Sequence, residues 1–217
     1  RLKIRTLTPT MTDHRDIHLV DDDEAIRHSA SFMLRHAGFN VRTYKDGLHF
    51  LQTVDRTSQG CVLLDVRMPD MDGIAVLRAL DQHGISMPVI VLTGHGDVSV
   101  AVEAMKAGAK DFIEKPYEKQ SLLAAINATF HNQEDRDASR TNEVNARAKI
   151  ASLTKREREV LERLVEGMTN KAIAEDLSIS SRTVEIHRGH VMEKLEADSL
   201  SAALRIAFNA KLGSTAD

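Results

Sequence analysis

The stretch "VLLDVRMPDMDG" (Val62–Gly73) decides the fold. Together with Cys61, its first residues are apolar at successive positions rather than at every second one. That pattern belongs to a strand covered on both faces, as in parallel sheets. The run stops at Asp65, and Pro69, Asp70 and Gly73 then supply turn residues. An ionised carboxylate inside such a strand is costly unless it is paired. At the carboxyl end of the strand it lies where open α/β sheets bind their ligands. The stretch therefore predicts a buried parallel strand that delivers an acid to a site.

The neighbouring sequence repeats this strand-then-helix pattern. "DIHLV" (16–20) is an apolar run that stops at Asp21, Asp22 and Asp23. Residues 24–37 follow as a predicted helix, with Ile26, Phe32, Met33 and His36–Ala37 as its stripe and Gly38 as its stop. Strands are expected at 40–44, 61–65, 88–93 and 111–113, and helices at 46–54, 71–82, 97–107 and 118–131. Five such units imply a doubly wound α/β sheet with helices on both faces.

Residues 132–150 hold few large apolar residues and neither Pro nor Gly, and read as a polar linker for which a helical and a structureless form are both open. Beyond it the pattern is all-helical. Thr154 and Glu157 form a capping-box signature, and Leu161, Leu164, Val165 and Met168 follow on one face. A second helix is predicted over 170–177, a third over 182–195 with Val184, Val191 and Leu195 inward, and a fourth over 199–212. Ser180 is the expected N-cap of the third. The short join between the second and third is a helix-turn-helix pattern. The expected division is an N-terminal extension (1–15), an α/β domain (16–131), the linker (132–150) and a helical domain (151–213).

Composition agrees with this division and narrows the class. A chain of 217 residues suits one or two domains, and 42% apolar with 28% charged residues is a globular balance. No run approaches the roughly 18 apolar residues of a membrane helix, so no membrane association is expected. Residues 1–10 lack the apolar core of a signal peptide, and Met11 reads as a natural start. The single Cys61 excludes an internal disulfide framework and fits a reducing, cytoplasmic setting, most simply as a small buried hydrophobe. Residues 1–149 carry 19 Lys+Arg against 21 Asp+Glu, and the remainder 10 against 11. Neither half is basic, so nucleic-acid binding would need a local patch.

The acids gather at strand ends. In the sheet order 2-1-3-4-5, the first and third strands are neighbours, so Asp21, Asp22 and Asp65 converge. At about 4 Å and an effective dielectric near 20, each carboxylate pair costs roughly 4 kcal/mol. A divalent cation offsets this best, and oxygen ligands suit Mg²⁺, with Mn²⁺ as a substitute. Any single Asp here also reads as a helix cap, Asp22 or Asp23 above all. Thr93 and Lys115 at two further strand ends favour a site over caps alone. With a metal present, a carboxylate can attack a phosphoryl group while a cation and a hydroxyl hold its oxygens.

"HLVDDDE", "LLDVRMPDMDG", "VLTGHGD" and "DFIEKP" resemble the receiver domain of two-component response regulators, a flavodoxin-like (βα)5 fold. "LTKREREVL" and "NKAIAEDLSISSRTVEIHRGHVMEKL" resemble the four-helix LuxR-type helix-turn-helix. Together they resemble the NarL/FixJ class, and "TGHGDVSVAVEAMKAGAKDFIEKP" is nearest the FixJ type. The resemblance implies that Asp65 is the phosphoacceptor and that Asp22, Asp65 and the backbone carbonyl of Arg67 ligate the metal, with Asp21 acting through water. It also implies that Lys115 holds phosphoryl oxygens, that Thr93 and Phe112 are the switch pair, and that Lys115–Pro116 is cis. Asp23 stands where Glu is commoner in the family.

By the same resemblance the third helix of the C-terminal module enters the major groove. Phosphate contacts are expected from Lys171, Ser181, Arg182, Arg188 and Lys194, with base-facing positions at Glu185, Ile186 and Gly189, and Thr183 is a further DNA-binding position. The implied function is a transcription regulator that takes its phosphoryl group from a sensor histidine kinase. It would then dimerise, bind promoter DNA and act on RNA polymerase. It would catalyse only its own phosphorylation and dephosphorylation. Two alternatives stay open at this point. An aspartyl-phosphate hydrolase would need a D-x-D-x-T pattern, and "DDDEA" lacks the Thr. A helical module that binds protein instead of DNA would suit its near-neutral charge.

Overall fold

The computed structural model describes residues 15–94, 97–134 and 138–212. A five-stranded parallel sheet has the order β2-β1-β3-β4-β5. The strands are β1 (Asp16–Val20), β2 (Asn40–Tyr44), β3 (Cys61–Asp65), β4 (Val89–Thr93) and β5 (Asp111–Glu114). The helices α1 (Glu24–His36), α2 (Gly47–Thr53), α3 (Gly73–Gln82), α4 (Val98–Lys106) and α5 (Lys119–Glu134) follow them in turn. This is the doubly wound, flavodoxin-like architecture that the alternating pattern predicts.

β3 lies at the centre, with Leu64 opposite Val20 of β1 and Asp65 opposite Leu92 of β4. Its side chains alternate between two apolar layers. Cys61 and Leu63 join Ile17, Leu34, Leu122 and Ile126 under α1 and α5. Val62 and Leu64 join Val76, Leu77 and Val102 under α2, α3 and α4. Truncating any one of these buried aliphatic residues to Ala costs about 2–5 kcal/mol. Cys61 is fully buried, and burial pushes its thiol up to about 12. Gly73 closes the loop after β3: a Cβ there would lie 2.5 Å from the Asp65 carbonyl oxygen.

α1 is rotated from its expected phase. Phe32 is 61% exposed, and the buried face is Ala30, Ser31 and Leu34. Small residues at 30 and 31 let the helix approach the sheet, while the Phe32 ring turns outward onto His36, with centroids 4.2 Å apart. β2 is an edge strand, so only Val41 and Tyr44 are buried along it.

Residues Ala138–Ala151 form a helix, α6. Ala146 and Ile150 are buried, and Lys149 Nζ donates to the Leu195 carbonyl oxygen at 2.8 Å and to Glu196 at 2.7 Å. The end of the stretch read as linker thus packs into the helical module. That module continues with α7 (Lys155–Val165), α8 (Asn170–Asp176), α9 (Ser181–Leu195) and α10 (Leu200–Asn209). Thr154 and Glu157 close the expected capping box, and Ser180 caps α9. Val184, Val191 and Leu195 of α9 are buried. Arg163 pairs with Asp176 at 2.6 Å and ties α7 to α8. Among the described residues, no helix is long and apolar enough to cross a membrane.

Candidate functional site

Three carboxylates meet at the carboxyl edge of the sheet. Asp21 and Asp22 follow β1, Asp65 ends β3, and one oxygen of each lies within 4.8 Å of the others. Asp21 is fully buried and Asp65 is 8% exposed, whereas Asp22 faces solvent. Two oxygens of Asp21 have different tasks: Oδ1 accepts from the Asp23 amide at 2.9 Å, and Oδ2 accepts from Lys115 Nζ at 2.7 Å. Asp23 belongs to the helix rather than the cluster, since its carboxylate caps α1 through the amides of Ala25 and Ile26.

Lys115 spans the cluster, 2.7 Å from Asp21 and 3.0 Å from Asp65. Burial raises the Asp65 pKa, and the Asp21 charge adds to it against the pull of Lys115. Burial also works against the Lys115 ammonium, but its bonds to both carboxylates outweigh that and hold it protonated above its usual range. One ammonium serves two buried acids, which leaves negative charge for a cation. Hard carboxylate oxygens converging on one point suit Mg²⁺, and the donor set of Asp21, Asp22 and Asp65 fits it.

Thr93 ends β4, and Phe112 lies on the neighbouring β5. The Thr93 hydroxyl donates to the Ile113 carbonyl oxygen at 3.5 Å, toward β5, and Phe112 is 4% exposed. Lys115–Pro116 is cis, as expected.

The helical module sits on the β5 side of this domain. Arg205 of α10 pairs with Asp111 at 2.7 Å, and the other oxygen of Asp111 accepts from the Phe112 amide at 2.9 Å. One carboxylate thus joins the helical module to the backbone of Phe112. Gly167, after α7, lies on α4: a Cβ there would come 3.1 Å from Ser99 Cα. Between the domains is a cleft of about 760 Å³, lined in part by Phe112, Glu114, Tyr117, Arg188 and Arg205.

The candidate DNA contacts fall into two groups. Lys171, Ser181, Arg182, Glu185, Ile186 and Gly189 are exposed, and Thr183 is half-buried at the α9 cap. Arg188 instead turns into the cleft, donates to Asn170 at 2.6 Å and has its pKa lowered by burial. Lys194 is held by Glu157 at 2.7 Å. Sequence patterning missed Asp111 and Arg205. The signal for Asp111 was an acid opening a short buried strand, and Arg205 carried none, because its partner lies 94 positions away.

Residues 17–127 match the family model of the response regulator receiver domain, and residues 151–207 that of the bacterial regulatory proteins of the luxR family. This chain belongs to the response regulators with a LuxR-type output domain. The regulator is 44% identical over 200 residues to the transcriptional regulatory protein FixJ of Bradyrhizobium diazoefficiens, covering 92% of this chain and 98% of that one. It is 45% identical over 203 residues to FixJ of Rhizobium meliloti, covering 94% and 99%. The crystal structure of full-length FixJ from B. japonicum superposes with a TM-score of 0.54 at 44% identity, covering 90% of this chain and 97% of that one. The regulator is thus a FixJ-like DNA-binding transcription regulator, not an enzyme of the ordinary kind, and its receiver domain implies a histidine kinase as partner. That membership argues against the hydrolase, and the LuxR-type domain implies DNA rather than protein as the partner of the helical module.

Proposed function

We propose that Asp65 is the phosphoacceptor of this regulator and that its modification releases the helical module for DNA. The observation that carries the reading is the Asp65 carboxylate at the end of β3, paired with Lys115 and flanked by Asp21 and Asp22. An Asp65 oxygen attacks the phosphorus of a phosphohistidine, an O–P bond forms, the N–P bond breaks, and the departing imidazole nitrogen takes a proton. Asp22, Asp65 and the Arg67 carbonyl would hold Mg²⁺, with Asp21 acting through water, and the ion would neutralise phosphoryl oxygens. Lys115 keeps one oxygen, Thr93 turns from the Ile113 carbonyl to another, and Phe112 follows. Dephosphorylation returns the acceptor to its resting state.

The domain bounds that fit this reading are 16–131 for the receiver and 151–213 for the output module. In the resting arrangement Arg188 faces the cleft, so α9 does not present all its cations. Once released, Lys171, Ser181, Arg182, Thr183, Arg188 and Lys194 contact phosphates, while Glu185, Ile186 and Gly189 face bases. Dimerisation on phosphorylation, action on RNA polymerase and a cytoplasmic location complete the proposal.

The test is phosphate incorporation from a small phosphodonor with Mg²⁺. The parent should be labelled and Asp65→Asn should not. Equal labelling of the two would overturn the assignment.

A further inference from the structure

The side chain of Arg67 has an assignment of its own. Its guanidinium pairs with Asp97 at 3.0 Å and is 70% exposed. It lies so close over Gly94, the residue after Thr93, that a Cβ at Gly94 would overlap it. Two loops are thereby strapped together: the one that follows the acceptor strand and the one that enters α4.

Asp97 occupies the N-cap position of α4, yet its side chain makes no capping bond. The Asp residues at the same position of α1, α2 and α3 (Asp23, Asp46 and Asp72) all accept from first-turn amides. Capping is the ordinary preference of Asp there, because the first amides of a helix lack partners. In α4 that preference is overridden, and the carboxylate is spent on Arg67.

We propose that Arg67 is a phosphoryl-reading residue. On phosphorylation of Asp65 it exchanges Asp97 for the phosphoryl group, and Asp97 then caps α4. The inference rests on Asp65 being the acceptor. The physical reasons are three. Arg67 is two residues along the chain from Asp65, and its amide already donates to an Asp65 oxygen at 3.3 Å. A phosphoryl group offers three strong acceptors and about two negative charges, which a planar guanidinium prefers to one carboxylate oxygen. The Arg67 end of the resting pair is 70% exposed and the Asp97 end 31%, so solvent screens the pair and it is readily exchanged. The change would be felt outside the site, because Ser99 in the first turn of α4 is the residue on which Gly167 of the output module rests.

The test is amide exchange by NMR on the full chain, with Mg²⁺ and with or without beryllofluoride as the phosphoryl mimic. Binding of the mimic is followed separately by its effect on thermal stability. In the parent, the Ser99 and Val100 amides should exchange about fivefold more slowly once the mimic is bound, the effect of one added cap. In Arg67→Gln the cap is free from the start, so these amides should be slow with and without the mimic. In Asp97→Ala they should be fast in both. Binding of the mimic without slowing in the parent, or the same slowing in Arg67→Gln as in the parent, overturns this inference alone. A mimic that fails to bind the parent overturns the acceptor assignment, and this inference with it.

Discussion

Removing the Arg205–Asp111 contact should raise the DNA affinity of the unphosphorylated regulator. Asp111 is 7% exposed at its side chain and Arg205 37%, at a separation of 2.7 Å. Two charges about 4 Å apart at an effective dielectric near 20 attract by roughly 4 kcal/mol before desolvation is counted. Solvent reaches a third of Arg205, so about 1–2 kcal/mol of net holding is a reasonable share. One or two kcal/mol moves a two-state equilibrium by roughly 5- to 30-fold. If only the undocked form binds DNA, apparent affinity rises by the same factor until that form dominates. Arg205→Ala removes the cation. Asp111→Asn removes the charge and keeps an acceptor for the Phe112 amide. Each should tighten binding in a gel shift at fixed salt, and the double variant should gain little beyond either single one. The phosphorylated protein should be nearly indifferent to all three. Fully additive gains, or gains that persist after phosphorylation, would refute the idea that this ion pair holds the output module.

Two further predictions concern the output module. The Lys194 hydrogen bond lowers the Glu157 pKa to about 2 from an ordinary 4.5, aided by the Thr154 amide and opposed by burial. A depressed carboxylate stabilises the fold above its unfolded pKa, and that contribution is lost as pH falls from 4.5 toward 2. Glu157→Gln keeps a capping partner for Thr154 and loses the charge. It should cost about 1–2 kcal/mol at pH 7, after allowance for the exposure of Lys194, and almost nothing at pH 2. Thermal unfolding at both pH values checks this, and an equal deficit at each contradicts it. Gly189 lies inside α9 with nothing within 4 Å of an added Cβ, so internal packing does not require it. Gly189→Ala should stabilise the helix by about 0.5–1 kcal/mol and weaken DNA binding, because it fills the face that approaches the groove. A more stable variant with unchanged affinity would remove Gly189 from the interface.

What the sequence revealed, and what it hid, follows from the range of the interactions. Val62, Leu63 and Leu64 announce a doubly covered strand because burial on both faces selects successive apolar residues. Asp21, Asp22, Asp65, Thr93 and Lys115 were legible because each ends or follows a strand, and the topology brings such ends together. Phe32 was misread because helical period alone does not fix helical phase. Ala30 and Ser31, small enough for close approach to the sheet, take the buried face instead. Arg67 was legible only as a backbone carbonyl, since its side-chain partner Asp97 lies on another loop. Arg188 and Lys194 looked like free cations on a helix, but Asn170 and Glu157, which hold them, come from other helices of the module. Local pattern places a residue on an element, and it takes the packed chain to show what that residue spends its charge on.

Strand β3, which ends in Asp65, is hydrogen-bonded on both sides, to β1 and to β4. It therefore serves as mechanical ground. A modification at its tip cannot slide the strand without breaking two ladders at once, so the sheet is a fixed reference against which the loops are displaced. Side chains reorient in picoseconds to nanoseconds and loops move in nanoseconds to microseconds. Under the proposed acceptor role of Asp65, the loops report the state of one carboxylate while the sheet stays in place.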